Sequence, residues 1–142
     1  MDDLVQFLRD RLTDDEQTAR AATWDEWDSA HWTAHRRAQY DGRWVIVDHA
    51  EEGVTELTPH AADDAGVAQH IARHDPARVL RDVEAQRQIM QVHNARDNWG
   101  TCVGCPRDAE GSMNVGIDEC PILRALALPY ADHPDYQDAW RP

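Results

Sequence analysis

Leu4, Leu8 and Leu12 recur every four residues, and Ala19 and Ala22 continue the stripe. That spacing predicts one helix over residues 3–22, with Asp2 and Asp3 placed favourably at its positive end. Thr13 and Glu16 offer a capping box for a restart. No Gly or Pro intervenes, however, so an unbroken helix is expected. A Trp-rich stretch follows (Trp24, Trp27, Trp32), after which the pattern takes on strand character. Arg43-Trp44-Val45-Ile46-Val47-Asp48 is the clearest strand, preceded by an Asp41-Gly42 turn. Glu51-Glu52-Gly53 turns into Val54-Thr55-Glu56-Leu57, and residues 32–37 complete an expected antiparallel meander.

The helical period then returns. Residues 64–73 form a short helix, and Asp75-Pro76 restarts the chain with an N-cap and a proline at the first helical position. From there to about residue 95, Val79, Val83, Met90 and His93 share one face, widened by Leu80 and Ile89. Residues 96–117 carry four Gly and no periodicity, and read as an irregular loop. Pro121 to Leu128 is a last short helix with Leu123, Leu126 and Ala127 inward. Pro129 ends it, and His133-Pro134 begins a final turn that closes at Trp140. The fold class is α+β and mainly helical: long helices packed with a small antiparallel sheet. Residues 1–142 read as a single domain, with helix and sheet in 1–62 and a helical, metal-binding half in 63–142.

Composition narrows the function classes. The 142 residues hold 14 Arg, no Lys and 27 acids, for a net charge of −13. Such a surface repels phosphate backbones and suits a basic protein partner, so nucleic-acid binding is disfavoured. No basic leader precedes an apolar run and no stretch has membrane-spanning length, so no export or membrane insertion is expected. Three cysteines in a chain read as cytoplasmic point to metal binding rather than to disulfides.

Those cysteines carry the most specific chemistry. Cys102-Val103-Gly104-Cys105 is a Cys-x2-Cys turn, in which two thiolates converge on an ion about 2.3 Å from each sulfur. Gly104 gives the knuckle backbone freedom. Cys120 precedes Pro121 and is expected to cap the last helix, where the dipole favours a thiolate. His93, one turn beyond Ile89, is the fourth expected ligand of a structural Zn2+ site formed by His93, Cys102, Cys105 and Cys120. His133, His49, His60 and Asp118 are alternative fourth ligands. A metal-free trio, a Cys102–Cys105 disulfide and a redox pair are the competing readings. Three Cys and one His leave no coordination position for water, and the chain lacks the deaminase pattern of a His-x-Glu followed by Pro-Cys-x2-Cys, so a catalytic or deaminase-type zinc is disfavoured.

His70 and His74 share one helical face at ligand spacing. Without a Glu between them they read first as a polar helix end; Glu84 or Asp75 would have to complete a second site. Arg73, Arg78, Arg81 and Arg87 form a basic stripe that is expected to pair with acids inside the fold, in preference to an anionic partner. The Trp residues are expected as core and loop anchors rather than as a base-stacking platform.

Four segments carry a resemblance. Met1 to Leu8, His70-Ile71-Ala72-Arg73-His74-Asp75-Pro76-Ala77-Arg78-Val79-Leu80-Arg81, Cys120 to Ala127, and Tyr130-Ala131-Asp132-His133-Pro134-Asp135-Tyr136 with Trp140-Arg141-Pro142 are similar to a family of small uncharacterised proteins of actinobacteria and their phages. The likeness runs end to end except in residues 23–62, where Trp24-Asp25-Glu26-Trp27 replaces a Pro-Gly-Pro-Trp element. It implies that the His/Cys quartet is a family-type feature and that His70, His74 and Asp75 belong to a signature. It implies no activity.

The sequence therefore points to a non-catalytic, zinc-stabilised binding or regulatory protein acting through an acidic surface on a protein partner. A metalloenzyme using His70 and His74 is one alternative. An acidic DNA mimic that inhibits a DNA-binding protein is another.

Overall fold

The computed structural model describes residues 3–60, 64–98, 100–105 and 115–142. Their elements run α1 (Asp3–Ala21), β1 (Trp32–Arg36), β2 (Trp44–Asp48), β3 (Gly53–Glu56), α2 (Asp64–Arg73), α3 (Pro76–His93) and α4 (Pro121–Ala127), with short 3-10 turns between them. This is the α+β class: four α-helices among the described residues, with a three-stranded antiparallel sheet in the order β1-β2-β3. None of these helices is long and apolar enough to cross a membrane. The chain packs as two compact units, one of Met1–Asp14 with Val83–Pro142, the other Asp15–Asp82. Both unit boundaries fall within the long helices α1 and α3, and none falls at residue 62.

In the unit of residues 15–82, β2 is the central strand, paired with β1 from Trp32↔Asp48 to Arg36↔Trp44 and with β3 across a bulge at Ile46/Val47. Ile46 is fully buried and clusters with Leu57, just after β3, and with Ala68 and Ala72 of the covering helix α2, with Trp32, Trp44 and Ile71 packed around them. The β2–β3 turn places Glu51, not a glycine, in the left-handed region at φ 63°. Asp48 makes this possible: its buried Oδ1 accepts the N–H groups of Ala50 and Glu52, each at 2.9 Å. At the other hairpin, Asp41 and Gly42 both take positive φ, as the Asp-Gly pair predicts.

The divergent stretch after α1 is knit by two side chains. Ser29 Oγ accepts the Trp24 and Asp25 amides, and Asp25 Oδ1 accepts those of Trp27 and Ser29. The Ser29 amide, helped by that of Trp27, holds the Asp25 carboxyl below its usual range. Trp24 and Trp27 themselves stay exposed, which corrects their assignment as anchors; Trp27 lies tilted against His31, and His31 stacks on His49.

In the other unit, Leu4, Val5, Phe7, Leu8 and Leu12 are buried along the start of α1. Asp118 Oδ1 accepts the Leu4 amide, one of the donors a helix start leaves unpaired. Phe7 is ringed by Tyr130, His133, Tyr136 and Trp140, with centroids 5.1–6.3 Å away, so the C-terminal turns close over this helix. On α3, Val83 and Met90 are buried as the period predicts, but Ile89 is exposed. It lies one residue off the inward stripe.

Candidate metal centre

α3 ends at His93, and the chain turns back through a small knuckle. Asp97 Oδ1 accepts the Thr101 amide at 3.0 Å, and Gly100 takes φ +76° to complete the reversal. Isolated bridges then pair Arg96 with Cys102 and Thr101 with Gly116. The Val103 amide donates to Ala95 and that of Cys102 to Val115, each at 2.9 Å. These bonds aim Cys102 and Cys105 at the end of α3. The local signal was an Asp and a Gly just before the first cysteine, an Asx-type turn.

Gly104 serves this knuckle through its lack of volume. A Cβ there would lie 2.8 Å from Val92 Cγ1, 2.9 Å from the Val92 carbonyl oxygen and 3.1 Å from His93 Nδ1. The expected need for conformational freedom gives way to a need for close approach. From the other side comes Cys120, the N-cap of α4, with Pro121 in the first turn as its sequence predicts.

The four expected donors converge: His93 Nδ1 and the three Sγ atoms all lie within 4.8 Å of one another. His93 Nδ1 is 3.4 Å from Cys120 Sγ, 3.5 Å from Cys102 Sγ and 3.7 Å from Cys105 Sγ. Cys120 Sγ is 3.3 Å from that of Cys105 and 3.8 Å from that of Cys102. A tetrahedron around an ion bonded at zinc-like lengths has S···S edges of about 3.8 Å and S···N edges of about 3.6 Å. Four of these five separations fall within about 0.2 Å of those edges, and Cys105–Cys120, at 3.3 Å, is the short one. The cluster's cysteines are all free thiols, so the Cys102–Cys105 disulfide does not form here.

Electrostatics points the same way. Burial, together with the neighbouring Cys120 and Cys102 sulfurs, pushes the Cys105 thiol up to about 12. Three packed sulfurs cannot all ionise beside one another unless a cation sits among them. The quartet can therefore hold a metal ion, and its donor set and spacing are consistent with zinc.

The other candidates lie elsewhere. His133 sits in the Phe7 cluster against Arg11 and accepts the Asp135 amide; Asp118 caps α1; His49 and His60 are exposed. None of these displaces His93. His70 and His74 are exposed with rings 4.3 Å apart, and His74 Nδ1 is hydrogen-bonded to the His70 carbonyl. Asp75, a proposed third donor, is already committed: Oδ1 caps α3 through the Arg78 amide at 2.8 Å, and Oδ2 accepts the Trp32 amide at 3.1 Å. Among the described residues, the His93 quartet is the one group of three or more His, Cys, Asp or Glu with converging donor atoms.

No curated protein and no solved structure matches the chain. One family model does, over residues 1–142. With its whole length covered, the chain belongs to the family of unknown function DUF6221.

Proposed function

We propose that this protein is a non-catalytic binding or regulatory protein, stabilised by a structural zinc, that acts through its acidic surface on a protein partner. The convergence of one imidazole and three thiols within 4.8 Å carries the zinc. His93, Cys102, Cys105 and Cys120 are its ligands in this reading. Four protein donors complete the tetrahedron, so neither water nor substrate has a place on the ion. The bound metal holds the end of α3, the knuckle and the start of α4 together. The partner reading rests on charge: 27 acids against 14 Arg, with Asp10, Asp14, Glu26, Asp41, Glu51 and Glu52 among the exposed ones. A surface of that sign steers basic proteins toward it and rejects wrong partners.

Two measurements test this. Elemental analysis of the purified full-length protein is expected to give one zinc per chain; none, or a second equivalent, contradicts the structural assignment. Affinity capture from the native host is then compared between the wild type and a variant with Asp10, Asp14, Glu51 and Glu52 changed to their amides. A basic protein held by the wild type at low salt and lost by the variant supports the acidic-surface reading. Identical captured proteins with both baits reject it.

A further inference from the structure

Only part of the basic stripe on α2 and α3 pairs as its sequence suggests. Arg78 is tied locally, with Nε 3.6 Å from Asp82 Oδ2 and Nη1 3.3 Å from the Arg73 carbonyl oxygen. Arg73 and Arg81, both exposed, have no ion-pair partner among the described residues. In a chain with almost two acids per Arg, unpaired guanidiniums are unexpected.

All three line one cleft of about 510 Å³, between β1 and the junction of α2 with α3. That volume falls in the range of small-molecule sites, about 300–1,000 Å³. Asp75 is the one acid lining it, and both its oxygens are engaged by backbone amides. The same place is the positive end of α3, an 18-residue helix. His35, hydrogen-bonded at 2.9 Å to the Thr33 hydroxyl, adds polar groups along β1. The half-buried Trp32 supplies an apolar wall.

We propose that this cleft binds a small phosphorylated compound, with its phosphate held by Arg73, Arg78 and Arg81 and its organic part against Trp32. A carboxylate presents two oxygens, and one guanidinium fork spans both. A phosphate monoester presents three terminal oxygens and can engage several. A nucleic acid fits less well, because its backbone would extend from the cleft over the acidic remainder of the surface. This inference is independent of the zinc and of the protein partner.

Phenyl phosphate is the probe, titrated at low salt into the full-length protein as purified and followed by the backbone amide signals of Thr33 and His35. Saturable shifts are expected. In the double variant Arg73→Ala, Arg81→Ala the affinity should fall at least about tenfold. Arg20→Ala, which removes an exposed arginine paired with Glu16, should bind as the wild type does. If the double variant misfolds, Arg73→Gln and Arg81→Gln singly should each weaken binding. Equal affinity in the cleft variants, no shifts at about 10 mM probe, or equal shifts with benzoate would each overturn the proposal. Displacement of the probe from these amides by a lower concentration of short DNA duplex would also overturn it, by making the occupant a nucleic acid.

Discussion

The unit of residues 15–82 and the unit that contains the cysteines order their chains by different physics. The first relies on a backbone ladder: three antiparallel strands satisfy one another's amides, and Ile46 anchors the covering helix α2. In the second, the path from Asn94 to Cys120 has, among its described residues, isolated bridges and one 3-10 turn, Ile117–Glu119. Its buried groups include Cys102 and Cys120, side chains that add little apolar area of their own. A ladder adds its stability residue by residue. A metal site concentrates it on four atoms, so one lost ligand is felt throughout the segment.

This contrast can be broken most directly at a ligand. Cys102→Ser or Cys120→Ser, or chelation of the wild type, is expected to cost at least about 3 kcal/mol in the cysteine-bearing unit. Amide spectra should lose the signals of Leu123 and Ala127 while Ile46 and Val47 persist. Unchanged thermal stability in both variants would sink the metal account. Ile46→Ala is the mirror experiment: about 2–5 kcal/mol lost by denaturant titration, with the metal content of the folded fraction unchanged.

Gly104→Ala sharpens the comparison further. Its new methyl meets the Val92 backbone, which cannot swing away, so the knuckle itself must shift. A cost of about 1–3 kcal/mol is expected, read as weaker zinc retention in a chelator competition. Retention equal to the wild type would show that the close approach carries no strain. His74→Ala, on an exposed helix end, is expected to change stability by less than about 0.5 kcal/mol and metal content not at all. A large loss of metal in that variant would place His74 in a site.

Much of the architecture was legible in the residues. The Leu4–Leu8–Leu12 stripe, the Asp75-Pro76 restart and the Asp41-Gly42 turn each have a local cause, and each appears where that cause puts it. The quartet was legible too, because Cys-x2-Cys and Cys-Pro are local devices that prepare ligands before any tertiary contact forms. The failures share a different cause. Trp24 and Trp27 looked like anchors, yet their exposure depends on how Asp25 and Ser29 fold the turn beneath them. The arginine stripe looked self-neutralised, and Arg78 does pair with Asp82, but Arg73 and Arg81 find no ion-pair partner among the described residues: charge pairing depends on which surfaces meet, and composition does not record that.

By itself, the sequence determined where helices start and stop, which segment makes the clearest strand, and which three cysteines have the chemistry to share an ion. Those properties depend on neighbours within a few residues. Only the tertiary structure decided that His93, rather than His133 or Asp118, faces the thiols, that Gly104 is needed for space, and that Arg73 and Arg81 line a cleft with no ion-pair partner among the described residues. Each of those outcomes depends on the approach of residues distant along the chain, and side-chain directions at such meetings are set by packing rather than by sequence spacing.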